Sequence, residues 1–407
     1  MAAEAPTPQG PVPDLRRYLF ETVLPFWAET GIDKEKGGFV ERLTRDRKPA
    51  PDDYKRLRVQ ARQVYSYCHA HLLGAGDWTL GPAREGYRFM TRRGQAAEGG
   101  WYHLLTRAGK PLDEKRDAYD HAFVLFALAW MHKATGDQEP LALARRTIAF
   151  MDEQMADPHG RDGLWGGYHE HVVEGMMSIP LPRRQNPHMH LLEALLALHD
   201  ATGEEEWAER AARIVDLFKA AFYDAETGSL GEYFTADWHP APGDEGSLRE
   251  PGHHFEWVWL LHRYRAQTGD DSVLEPAERL YRFGLAGVDG EPGMVLAPFD
   301  ETGRDGAVRS SSKRLWVQTE AIKAFVARAE FHDDADAAAR ARAHLASFFS
   351  SHLDPESPVW RDQLDRGGEE ISRHIPASSL YHLFLCLAEV MRVLGDRAEG
   401  GPAGPGA

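Results

Sequence analysis

Six apolar, aromatic-rich segments recur along the 407-residue chain, and they limit its possible folds more than any other feature. They begin at Val59, Ala118, His188, His254, Leu315 and Ala377. The steps are roughly 60–70 residues, a period that marks internal repetition. Each segment reads as a helix with apolar residues all round, as in "AYDHAFVLFALAWMH" and "HFEWVWLLHRYRAQ". Between them lie more polar, amphipathic helices, among them "LRRYLFETVLPFWAE", "EEWAERAARIVDLFKAAFY" and "ADAAARARAHLASFFSSHL". A helix apolar on every side belongs in an interior, and one with a charged face belongs at a surface. The alternation therefore predicts an all-α fold, an (α/α)6 barrel of six inner and six outer helices. An open solenoid would need polar capping repeats at its ends, and none is evident.

The connections carry the same repeat. "GGFVERLTRDRKP" (Gly37 to Pro49) and "GGWYHLLTRAGKP" (Gly99 to Pro111) agree at seven of thirteen positions. Both read as short hairpins with a turn at the basic pair. Each such stretch follows a polar helix and precedes an apolar one, which places all the hairpins at one end of the barrel. Residues 14–396 read as one catalytic domain. Residues 1–13 and 397–407, rich in Pro, Ala and Gly, read as disordered tails.

A formal charge of −16 argues against nucleic acid or an anionic membrane as partner. Cys68 and Cys386 sit in apolar helical runs, which suits neither a disulfide framework nor a cysteine zinc site. The chain start has no apolar signal core, and no apolar run is long enough to span a bilayer. A cytoplasmic protein is expected, as monomer or homodimer, with a small molecule as its partner.

If every inner helix starts at the same end, six first turns line one cavity. They are rich in polar groups: Arg62; Tyr119, Asp120 and His121; Asn186, His188 and His190; His253, His254 and Glu256; Arg314, Trp316, Gln318 and Glu320; Arg373, His374, Ser378 and Ser379. Singly, each has a plain structural role. A first-turn Asp120 or Ser378 caps its helix, a histidine packs, Trp316 fills core. Gathered at one end of the barrel they read as a site. Histidines exchange protons near neutral pH and carboxylates orient them. Arg62 is suited to stabilising an oxyanion. Trp316, with Trp101 and Trp165 from the loops, is suited to stacking on a sugar ring. The expected substrate is neutral and hydroxyl-rich. Histidine and glutamate can also hold zinc, but there is no H-E-x-x-H and no cysteine cluster, so neither metal nor other cofactor is expected. An inverting glycosidase would draft carboxylates such as Asp120, Glu256 and Glu320 and leave the histidines idle.

"RQNPHMHLLEALLAL", "EPGHHFEWVWLL", "KRLWVQTEAIKAF" and "HIPASSLYHLF" resemble the motifs of the N-acylglucosamine 2-epimerase superfamily. That group includes acylglucosamine epimerases, cellobiose 2-epimerases, mannose isomerases and sulfoquinovose isomerases. The resemblance runs from Arg62 to Phe384 and implies the same (α/α)6 barrel with metal-independent chemistry on a reducing sugar. It implies His253 and His374 as the acid/base pair, with His190 and Glu256 orienting them or binding hydroxyls. It implies Arg62 at the oxygen on C1 or C2, and Asn186, Tyr119, Trp316 and Glu320 as substrate contacts. His254 reads as packing. "HMHLLEA", "HHFEW" and "RLWVQTEA" are most similar to the mannose isomerase branch. This implies interconversion of D-mannose and D-fructose through a cis-enediol, with a sugar 2-epimerase as the alternative. Arg183 and Arg184 keep a phosphorylated or sulfonated sugar open.

Overall fold

The computed structural model describes residues 12–157, 165–173, 175 and 183–395. The predicted tails, apart from residues 12 and 13, lie outside these. Helices account for most of the described chain. The inner six are α2 (Leu57–Leu72), α4 (Ala118–Thr135), α6 (Asn186–Thr202), α8 (Pro251–Thr268), α10 (Leu315–His332) and α12 (Ser379–Leu394). The outer six are α1 (Leu24–Thr30, preceded by a π-wound turn), α3 (Leu80–Arg93), α5 (Glu139–Phe150), α7 (Glu205–Leu217), α9 (Leu274–Ala286) and α11 (Ala335–Ser351). Each inner helix from α2 to α10 packs on the outer helix that follows it, and α12 returns against α2 to close the inner ring. The (α/α)6 expectation therefore holds, including short antiparallel strands in the loops at one end.

Burial follows the sequence pattern. In α8, Phe255, Trp257, Val258, Trp259, Leu260 and Leu261 are all buried, so the helix is enclosed on every side. In α7 only Trp207, Ala208, Ala211, Ile214, Val215 and Leu217 are buried, which is a single face. Trp257 stacks on Phe218 with ring centres 4.4 Å apart. Burying one such aromatic contributes roughly 2–3 kcal/mol. Within the inner ring, Tyr65 lies 4.6 Å from Phe126, and Phe123 lies 5.3 Å from Tyr381. These rings fill the middle of the barrel and make a floor.

Every inner helix is reached through a short strand, and neighbouring loops pair around the ring. Tyr54–Arg56 pairs with Tyr102–Thr106, Arg183–Arg184 with Tyr233–Phe234, and Lys313–Arg314 with Gln363–Leu364. Arg42–Thr44 pairs with His374–Pro376 and joins the first loop to the last. The hairpin predicted at Gly99–Pro111 is the strand pair Tyr102–Thr106 and Pro111–Asp117.

A repeated clamp ties loop to helix. Gln60 Oε1 accepts from the Phe39 N–H at 2.7 Å. In the following units His121, His188 and His254 accept from the N–H groups of Trp101, Tyr168 and Leu230 through Nε2, at 3.1, 2.9 and 2.9 Å. The glycines before Phe39, Trp101 and Tyr168 have φ of 69°, 68° and 75°. A Cβ there would come within 2.7, 2.9 and 2.5 Å of the clamping atom, so glycine is required on both counts. Three of the mouth histidines are thus structural. Burial pushes His121 and His254 down to about 4 and His188 down to about 3, so each is a neutral acceptor.

Candidate active site

A cavity of about 330 Å³ opens at the N-terminal ends of the inner helices. Larger grooves of about 750 and 730 Å³ lie beside Trp78 and beside Asp52. No histidine lines either of them. Of the residues expected from the sequence, Arg62, Tyr119, Asn186, His190, His253, Glu256 and Trp316 line it.

Four expectations need correction. His374 does not line the cavity; it lies on the strand before α12, with its Cα paired to Thr44. The helix starts only at Ser379, and the histidine it turns inward is His382, which does line the cavity. Glu320 is not at the surface of the cavity but behind it, where Oε1 accepts from His382 Nδ1 at 2.9 Å. The loop tryptophans also differ: Trp101 donates from Nε1 to Thr147 at 2.9 Å, and Trp165 lies under Arg213. The cap of α4 is Asp117 rather than Asp120, which instead pairs with Arg58 at 2.9 Å. The sequence reading missed His382, Glu232, Tyr233 and Glu250. The one available signal for His382 was a lone polar residue inside the apolar run "SLYHLF".

Two of the three histidines lining the cavity, His253 and His382, are in opposite electrostatic settings. His253 is buried, which by itself disfavours charge. Glu232 lies 2.9 Å and Glu250 3.1 Å from its Nδ1, and together they raise it to about 9. His382 is also buried, and here burial prevails over its one carboxylate, Glu320, so it falls to about 4. At neutral pH one is an imidazolium and the other a neutral base, separated by environment alone. Trp316 touches both, with ring centres 4.9 Å from His253 and 5.9 Å from His382. His190, lowered to about 4 by burial, bonds Glu193 at 3.1 Å and packs on Tyr119 and Phe123.

Several buried polar atoms of the lining residues have no protein partner: Arg62 Nε, Asn186 Oδ1, Glu232 Oε1 and both oxygens of Glu256. Unpaired buried groups are costly, and their concentration at one cavity marks a surface built for a polyhydroxyl ligand. Burial, followed by the nearby Glu320, holds Glu256 well above the usual carboxylate range, which favours its protonated, hydrogen-bond-donating form. Arg62 donates to Tyr119 Oη at 2.7 Å and lies 4.2 Å from the Phe123 ring centre, with no carboxylate in its ion pairs or hydrogen bonds.

Four groups of potential metal donors occur among the described residues, and three of them already hold a cation of the protein; the fourth, His190, Glu193 and Glu256, holds none. Asp120 holds Arg58, Glu232 and Glu250 hold His253, and Glu320 holds Lys323.

Room for Trp316 depends on Gly252, where an added Cβ would lie 2.6 Å from the indole. Gly252→Ala is expected to displace the ring between the histidines and lower kcat/KM by about tenfold or more. Steady-state kinetics together with a thermal melt would check this, since the loss should exceed any change in folded fraction.

Fold and cavity together define an (α/α)6 barrel with a cavity at one end lined by histidines, carboxylates and arginines. The sequence model of the family described as N-acylglucosamine 2-epimerase (GlcNAc 2-epimerase) matches residues 37–386, and the chain belongs to that family. It is 34% identical over 391 residues to a mannose-6-phosphate isomerase of Rhizobium meliloti, covering 93% of this chain and 96% of the relative. It is 34% identical over 245 residues to a D-mannose isomerase of Thermobifida fusca, covering 55% and 56%. The solved cellobiose 2-epimerase of Spirochaeta thermophila superposes with a TM-score of 0.83 at 27% identity, covering 94% and 96%. The protein is accordingly a sugar isomerase or epimerase. No described helix is long and apolar enough to cross a membrane.

Proposed function

We propose that the protein interconverts D-mannose and D-fructose, with His382 as base and His253 as acid. The observation that carries this reading is the pairing of a neutral and a charged histidine on one cavity. His382 Nε2 takes the proton from C2 of the open-chain aldose, and His253 protonates O1. The electron pair of the C2–H bond becomes the double bond of a cis-enediol. His382 then returns its proton to C1, and the O2 proton passes to His253. The product is the ketose, and both histidines regain their starting states. Arg62 steadies the charge that develops on O1 and O2, and Glu256, Asn186 and Trp316 hold the remaining chain.

The two relatives at 34% identity are named as a mannose-6-phosphate isomerase and a D-mannose isomerase, which favours ketose formation over epimerisation. An unphosphorylated sugar is favoured because the rim guanidiniums are already engaged. Arg184 bonds Glu170 at 2.9 Å, and Arg314 lies 3.4 Å from both Glu250 and Asp300. Arg183, the other residue that kept an anionic sugar open, is buried against Asp157 and turned away from the cavity.

NMR of the protein with D-mannose in D2O tests the reading. Fructose carrying deuterium at C1 is expected, with mannose 6-phosphate turned over more slowly. Glucose labelled at C2 would make the protein a 2-epimerase. Faster turnover of the phosphate ester would overturn the substrate class.

A further inference from the structure

Below the cavity floor an ammonium is sealed inside the barrel. Lys323 has no solvent exposure, and its Nζ lies 2.6 Å from Glu320 Oε2. It also sits 4.2 Å from the ring centre of Trp259, whose Nε1 donates to Glu389 at 3.0 Å. The other oxygen of Glu320 accepts from His382 Nδ1. Lys323, Glu320 and His382 therefore form one line from the core of the barrel to the cavity. Lys323 lies one helical turn beyond Glu320 on α10, and none of the site residues expected from the sequence includes it.

A lysine in this position is costly, since taking an ammonium out of water is repaid only in part by one carboxylate. A methionine of similar volume would fill the space, so the charge itself needs a reason. Glu320 is buried beside Glu256, and burial alone would drive both to hold protons. A protonated Glu320 would become a donor. It would then bond the lone pair of His382 Nδ1 and move the ring proton to Nε2, the nitrogen left for the cavity. The histidine could then not accept a proton from a substrate.

The geometry points to Lys323 as a positioning residue that holds Glu320 as a carboxylate, so that His382 keeps its proton on Nδ1 and presents a bare Nε2 to the cavity. This rests on the reading of His382 as the base. The charged and titratable groups about His382 are Glu320 and Lys323 from α10, Arg62 from α2, His253 and Glu256 from α8, His190 and Glu193 from α6, and Tyr381 on its own helix. Lys323 and Arg62 oppose a second proton on the imidazole and Glu320 favours it. Loss of the ammonium therefore raises the proton affinity of the His382–Glu320 pair. The fall in activity on the acid side must then move to higher pH.

The test is the pH dependence of kcat in Lys323→Gln and Lys323→Met, with Lys323→Arg as the variant that keeps the charge. The acid limb is expected to rise by about one unit or more in the two neutral variants and to stay in place in Lys323→Arg. A uniform loss of kcat with an unmoved limb would make Lys323 merely structural and overturn the proposal. The wild-type protein gives a second reading that needs no variant to fold and no substrate to be known. Labelled with [15N]histidine, it should show His382 neutral and protonated on Nδ1 at pH 6.5. An imidazolium, or a proton on Nε2, would overturn the proposal. A His382 in the expected tautomer with no turnover of mannose would fault the substrate reading and leave this one standing.

Discussion

His382→Ala is expected to lower kcat by about 10³-fold, whereas His374→Ala should leave it within a few-fold of wild type. The contrast is sharp because the two histidines are eight positions apart in the sequence and occupy different places. His382 faces the cavity from the first turn of α12, and His374 sits in a strand across from Thr44. Loss of a positioned acid or base costs about 10²–10⁴ in rate, and an imidazole outside the cavity has no such rate to lose. His253→Ala should match His382→Ala. The pH profile of the wild type should be bell-shaped, rising as His382 deprotonates near 4 and falling as His253 deprotonates near 9. Circular dichroism on each variant separates lost chemistry from lost fold. Equal losses at positions 374 and 382 would remove His382 from the mechanism.

Mild acid is the second large effect. His69, His121, His188, His190, His254, His262, His344, His352 and His382 all have proton affinities depressed by burial, to about 3 or 4. In the unfolded chain each returns to about 6.5. Between pH 6.5 and 4 the unfolded state binds more protons, so the stability these groups contribute is present above 6.5 and is lost as pH falls. Each fully shifted histidine contributes a slope of about 1.4 kcal/mol per pH unit in that window. Raised carboxyls such as Glu256 and Glu250 bind protons in the native state and offset part of this. The net effect is a marked loss of stability as pH falls below 6.5. His253 runs the other way: its contribution is complete below 6.5 and lost as pH rises through about 9. Calorimetry should show Tm falling steeply from pH 7 to 5. A flat Tm over that range would mean that the buried histidines are not held neutral by the fold.

Much of this architecture was legible in the chain. The alternation of all-round apolar and one-faced helices dictates two concentric rings, because only those burial patterns satisfy it. The repeat of Gly37–Pro49 in Gly99–Pro111 puts the loops at one end, and the polar first turns mark that end as the site. The fine assignment was not legible in the same way. His121, His188, His253, His254 and His382 are all histidines near the start of an apolar helix, yet three hold loop backbone and two face the cavity. A displacement of one residue along a helix turns a side chain by about 100°, and sequence does not say where an inner helix begins to that precision. His374 was the nearest histidine to the apparent start of the last helix, and the strand before α12 runs further than that reading allowed.

What the sequence by itself determined is the ring of helices, the end at which the chemistry gathers and the kinds of group gathered there. Those depend on periodicity and composition, which are local. Tertiary structure alone decided which of the cavity histidines is charged and which is neutral. His253 is charged because Glu232 and Glu250 meet at its Nδ1, and His382 is neutral because burial outweighs Glu320, a residue 62 positions away on another helix. Proton affinity is set by distances of a few ångströms and by exclusion of water, and neither quantity exists until the chain has closed its barrel.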